Sequence, residues 1–171
     1  MTFTIRAAEP EDAKVIRRIR TMPGVMKCML SYSIESVSSI RKDILDEENY
    51  FLVAVDDNNE VVGYTKLAHC SNPRQRHKGR ISIAVDANYH HKGIGTLLLK
   101  EILDFADNQL KLLKVDLTVQ QENGFAIKLY EKFNFVKEGS LKYDCICEGN
   151  YSDVFLMARY NLPEMENNKN E

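Results

Sequence analysis

Phe3, Ile5 and Ala7 alternate with Thr4 and Arg6, the period of a short strand with one face against a core. Pro10, Glu11 and Asp12 then open a helix: proline is tolerated in a first turn, and acidic side chains there meet the positive end of the helix dipole. Ala13, Ile16, Ile19 and Arg20 continue it at helical spacing. From residue 22 to 35 a proline, a glycine and mixed side chains erase the pattern, as suits a lid or substrate loop, before residues 37–45 resume as a helix. Residues 50–55 and 61–68 are β-rich runs around Asp56, Asp57, Asn58 and Asn59, whose short polar side chains suit a turn, so the pair reads as a hairpin.

Downstream, residues 79–85 read as a strand, 96–110 as a strongly apolar helix, 114–119 as a strand and 124–133 as a helix. Residues 135–137 and 151–160 close the chain as strands. A strand, helix and strand in succession predict a parallel crossover, whereas the earlier hairpin predicts antiparallel pairing, so the sheet is expected to be mixed and the class α/β. One domain over residues 1–163 is expected, with a polar, frayed tail over 164–171 that has almost nothing to bury.

Charge narrows the function. The 23 basic residues stand against 25 acidic ones and are scattered, so the footprint that nucleic-acid binding needs is missing. No apolar run approaches the roughly 20 residues of a membrane span, and no such run follows a basic start, which predicts a cytoplasmic protein without a membrane partner. Cys28, Cys70, Cys145 and Cys147 lack the spacing of a metal site, so free thiols and no metal are expected.

Two segments carry candidate chemistry. His90-His91-Lys92-Gly93-Ile94-Gly95-Thr96 sets two glycines between the strand ending Ile83-Ala84-Val85 and an apolar helix. A helix start offers unpaired N–H groups and partial positive charge, and glycine lets a phosphate come close; equally, an isolated Gly-x-Gly can simply relax a tight turn. The Walker pattern and the dinucleotide fingerprint both fail here, the second because Leu98 stands where a small residue is needed. In the second segment Asn123 fits a helix N-cap, or its amide reaches along a ligand, while Ala126, Leu129, Tyr130 and Phe133 share one helical face.

Taken together the segments resemble the signature of the GNAT superfamily of N-acetyltransferases: a Gln/Arg-x-x-Gly-x-Gly/Ala loop, then Asn-x-x-Ala-x-x-Leu-Tyr-x-x-x-Gly-Phe. The likeness runs from about Thr4 to Arg159, and Arg76-His77, Ala106-Asp107-Asn108 and residues 151–159 are similar to a bacterial branch that includes L-amino-acid N-acetyltransferases. Two positions depart from the pattern. His90 replaces Gln or Arg, which is mild where main-chain amides do the gripping, and Asn134 replaces Gly, which asparagine tolerates because it visits left-handed backbone.

What the resemblance implies is a mixed, mostly antiparallel sheet of six to seven strands flanked by about four helices. It implies an enzyme that takes acetyl from acetyl-CoA, bound by Ile83, Ala84, Val85, His90, His91, Lys92, Gly93, Ile94, Gly95, Thr96, Asn123 and Tyr130. The acceptor would be a small-molecule primary amine, possible examples being L-amino acids, with a non-catalytic acyl-CoA sensor or a protein or polyamine acetyltransferase as alternatives. An amide near Ile83 would face the oxyanion, and Tyr130 would be the acid that protonates the leaving thiolate. Many relatives place a carboxylate where this chain has Arg80, which leaves the base to ordered water, His77 or Glu122. Acceptor groups would come from residues 22–47, 71–77 and 143–151, and a homodimer through the last strands is a further expectation.

Overall fold

The computed structural model describes residues 2–27 and 34–162; Cys28 and the tail expected over 164–171 lie outside them. Seven strands form one sheet: β1 (Thr4–Ala7), β2 (Asn49–Val55), β3 (Val61–His69), β4 (Lys78–Val85), β5 (Lys114–Gln120), β6 (Val136–Cys147) and β7 (Asn150–Tyr160). Their order is β1-β2-β3-β4-β5-β7-β6, antiparallel everywhere except the β4–β5 pair. The helices are α1 (Ala13–Thr21), the four-residue α2 (Pro23–Met26), α3 (Val37–Leu45), α4 (Ile94–Asn108) and α5 (Gly124–Lys132). No helix among the described residues is long and apolar enough to cross a membrane.

Apolar stripes assign the helices to faces. Ala13, Ile16 and Ile19 of α1 and Ile40 of α3 pack on Phe51, Val53 and Tyr64 of the sheet. On the other face Leu99, Ile102, Leu103 and Ala106 of α4 join Leu67, Ile81, Leu117 and Met157, with Tyr130 of α5 at the cluster's edge. Each helix thus buries one stripe and leaves the opposite side to water.

Three boundaries correct the sequence expectation. Helix α4 begins and ends two residues earlier than 96–110, because left-handed Gly93 (φ 81°) starts it and the Gln109 and Leu110 amides both fold back onto Phe105. Helix α5 stops at Lys132, one residue short of 133, with Asn134 left-handed behind it (φ 65°). Strand β6 runs twelve residues where only 135–137 were expected. It is an edge strand, mostly exposed and broken by two register shifts, so neither alternation nor a long apolar run announces it. Glu148 and Gly149, both with positive φ, turn it into β7 as a two-residue hairpin loop.

Candidate active site

β4 and β5 pair only at Lys78, Gly79 and Arg80 against Lys114, Val115 and Asp116. Beyond Arg80 the strands part, and a cleft of about 990 Å³ opens between them, reaching from Arg20 and Glu35 at one end to the loop before α4 at the other. Main-chain direction alternates along β4. The Asp86 amide bonds Val62 on the β3 side, whereas the Val85 carbonyl turns the other way to meet His90. Ile83 shares Val85's parity, so its N–H and C=O also face the gap where no β5 partner remains.

The loop is shaped by backbone strain. His91 (φ 61°) and Gly93 (φ 81°) are both left-handed, and a side chain at Gly93 would meet nothing within 4 Å. Leu97 donates to Gly93 at 3.1 Å, so the Ile94, Gly95 and Thr96 amides in the turn before it point out of the helix end. Those donors, the dipole behind a fifteen-residue helix and the open face of Gly93 fit a pyrophosphate.

Ile83, Ala84, Val85, His90, His91, Gly93, Ile94, Gly95, Thr96, Asn123 and Tyr130 all line the cleft. Lys92 does not: its ammonium lies over the Tyr89 ring, 4.4 Å from the centroid. His90 directs Nε2 to the Val85 carbonyl at 3.0 Å, so this nitrogen donates within the protein and ties the loop to β4. Asn123 caps α5, its Oδ1 accepting from the Ala126 amide at 3.1 Å, and its amide nitrogen bonds no described residue. Tyr130 is 7% exposed and its hydroxyl has no hydrogen bond among the described residues; burial pushes its pKa up to about 12. It therefore stays a phenol across the working range of pH and aims a proton into the cleft.

The two proposed bases fare differently. His77 is exposed and away from the cleft, its carbonyl accepting from the Leu113 and Lys114 amides. Glu122 accepts from the Ser152 hydroxyl and borders a second, smaller cavity of about 420 Å³. Arg80 does reach the cleft, and its Nε donates to Asp116 at 2.6 Å.

Sequence reasoning assigned acceptor groups to residues 22–47, which hold Glu35 and Asp43, but missed Arg20 and Lys66 at the far end. Arg20, only 9% exposed, donates Nε to Tyr64 at 2.7 Å and Nη1 to Glu35 at 2.6 Å. Burial opposes its charge, but the Tyr64 oxygen and the Glu35 carboxylate outweigh burial and raise its pKa. Lys66 grips both oxygens of Asp43, at 2.6 and 2.7 Å. The available signal was Arg20 itself, a cation on the apolar stripe of α1; its partners come from the loop before α3 and from β3 and share no local pattern with it. Gln120, at the end of β5, was missed for the same reason. Cys70, Cys145 and Cys147 are half-buried free thiols, as expected of them.

Residues 18–135 match the model of the acetyltransferase (GNAT) family. The chain is 30% identical over 157 residues to an L-amino acid N-acetyltransferase of Escherichia coli K12, covering 92% of this chain and 97% of that one. It is 39% identical over 168 residues to an N-alpha-acetyltransferase of Saccharolobus solfataricus, covering 92% of each. Among solved structures, spermidine N-acetyltransferase from Vibrio cholerae, in complex with CoA and spermine, superposes with a TM-score of 0.81 at 26% identity, over 92% of this chain and 95% of the other.

Proposed function

The chain belongs to the GNAT family of acetyltransferases and is an N-acetyltransferase; from that premise we propose that its acceptor is the primary amine of an L-amino acid, attacking acetyl-CoA directly in a ternary complex. The observation that carries this reading is the parting of β4 from β5 beyond Arg80 and Asp116, which opens one cleft onto both the donors before α4 and the Tyr130 phenol. The family draws its acetyl group from acetyl-CoA, whose thioester supplies an activated carbonyl and a thiolate leaving group.

The chain's own residues would do the rest. Ile94, Gly95 and Thr96 offer amides to the pyrophosphate, with Gly93 clearing the approach. The Ile83 and Val85 main chain lines the acyl arm, Val85 through its amide because His90 holds its carbonyl. The Ile83 amide, fixed in β4, faces the oxygen that gains charge and needs no reorganisation to stabilise it. Tyr130 holds its proton at the phenol oxygen and gives it to the departing sulfur; the burial that makes the phenol a weak acid also makes a buried thiolate a stronger base.

The cleft's acceptor end suits a zwitterion. Arg20, Lys66 and Arg80 stand there with Glu35 and Asp43, and both carboxylates are already held by cations. A polyamine would need an excess of acids at that end, whereas the three cations, paired with Glu35, Asp43 and Asp116, leave groups of both signs for an amino acid's carboxylate and ammonium; the likeness to the E. coli enzyme points the same way.

The test is a thiol-release assay with acetyl-CoA against L-amino acids, spermidine and a basic peptide, beside calorimetric binding of acetyl-CoA. Release with L-amino acids is expected. Release with spermidine or the peptide alone would replace the acceptor, and binding without release would make the chain a sensor.

A further inference from the structure

Gln120 closes β5 and is 4% exposed. Its carbonyl accepts from the Asn123 amide at 3.0 Å, and it stands opposite Val154 in β7. Its carboxamide has no hydrogen-bond partner among the described residues, and since no fully buried polar side-chain atom there lacks one, its polar atoms open onto a cavity.

Its place explains what the spare group could meet. Gln120 lines both the main cleft and the second cavity, so its side chain stands at their junction. Asn123 and Phe125 also border both, but Asn123 caps α5 and Phe125 packs edge-on against His91. Within the second cavity the charged groups are paired, Glu122 with Ser152 and Lys27 with Glu148 at 3.7 Å. Gln120 is thus the polar side chain at the junction with both donor and acceptor capacity unspent.

We propose that Gln120 binds the acceptor: Oε1 accepts an N–H of the attacking amine, Nε2 donates to the neighbouring carboxylate, and the acceptor's side chain extends into the second cavity. This rests on the amine-acetylating reading above. In the reaction the amine nitrogen bonds the acetyl carbon and sheds a proton to water, the carbon–sulfur bond breaks and sulfur takes a proton from Tyr130, which water reprotonates, while Gln120 neither gains nor loses one. A neutral carboxamide suits the position, because it orients the amine's lone pair without favouring the unreactive ammonium as a carboxylate would. It also sorts acceptors, since one that offers no hydrogen bond leaves the carboxamide unpaired.

Kinetics of Gln120→Leu and of the equal-sized Gln120→Glu test this, using the L-amino acid that the unaltered enzyme turns over fastest, with calorimetric acetyl-CoA binding and melting curves alongside. Gln120→Leu should raise the acceptor KM about tenfold or more while acetyl-CoA affinity stays within about twofold. Gln120→Glu should move the acidic limb of kcat for the acceptor to higher pH by holding the bound ammonium; this variant decides the matter if the leucine form does not fold. An acceptor KM and pH profile unchanged in Gln120→Glu, with acetyl-CoA still bound, would overturn the assignment and leave the transferase reading standing. Acetyl-CoA binding by the unaltered protein with no thiol release from any amine would overturn that reading, and the role of Gln120 with it.

Discussion

Arg80 and Asp116 face each other across the last paired rung of β4 and β5, with Arg80 Nε donating to the carboxylate at 2.6 Å. The pair stands where the strands part, and it puts the local carboxylate on β5, held by a cation, where many relatives carry a carboxylate on β4. The two side chains are 59% and 17% exposed, so water screens much of their attraction. Arg80→Ala should cost no more than about 1 kcal/mol of stability and keep kcat within about threefold, its effect falling on the acceptor KM, as expected if ordered water takes the amine's proton. A collapse of turnover with intact folding would place Arg80 in the chemistry.

Tyr130 gives the sharpest separation of structure from chemistry. Its ring packs in the core, 5.8 Å from Phe135 between centroids, but its oxygen bonds no described residue. Tyr130→Phe therefore keeps the packing and should leave melting temperature and acetyl-CoA affinity near those of the unaltered protein. Turnover should fall about 10²- to 10⁴-fold, the usual worth of a placed proton donor. Because its folded pKa lies above the free value of 10.0, the stability from keeping this phenol neutral is complete below about pH 10 and is lost as pH rises towards about 12. Alkaline melting curves of the two proteins should diverge over that interval, the unaltered protein losing stability that Tyr130→Phe keeps.

Much of this was legible in the sequence, because local rules governed it. The Gly93 turn, the Asn123 cap and the left-handed Asn134 each follow from one residue's own conformational habits. Strand β6 was not legible, since an exposed edge with two register shifts carries no alternation. The acceptor end was legible only as the stretch 22–47, which holds Glu35 and Asp43: Arg20, Lys66 and Gln120 come from other elements, and only the sheet order brings them to one cleft. His90 shows the remaining gap, for the motif located it but its bond to Val85 depends on where β4 ends.

Gly93 tests the loop by conformation alone. An added Cβ meets no atom within 4 Å, so any effect of Gly93→Ala comes from φ 81° and not from a clash. Stability should fall by about 1–2 kcal/mol and acetyl-CoA affinity by about tenfold as the amides before α4 lose their alignment. Gly93→Asn should recover part of both, since asparagine enters left-handed backbone more readily. Equal losses in the two variants, read by calorimetry and melting, would mean that the loop needs the bare glycine surface itself.

Asp12 makes the fold's entry turn sensitive to acid. Its carboxylate accepts both terminal nitrogens of Arg6, at 2.7 and 2.9 Å, and the Glu9 amide at 2.8 Å, joining β1 to the start of α1. Burial pushes its pKa up, but the Arg6 and Glu9 hydrogen bonds outweigh burial and hold it below the usual aspartate value. A folded pKa below the unfolded one stabilises the protein above about pH 4, and the gain fades as pH falls through the folded pKa. Asp12→Asn should therefore cost about 1–3 kcal/mol at pH 7, or roughly 3–10 °C in melting temperature. The gap should narrow steadily below about pH 4; a gap that is constant with pH would assign the loss to packing and not to the carboxylate's charge.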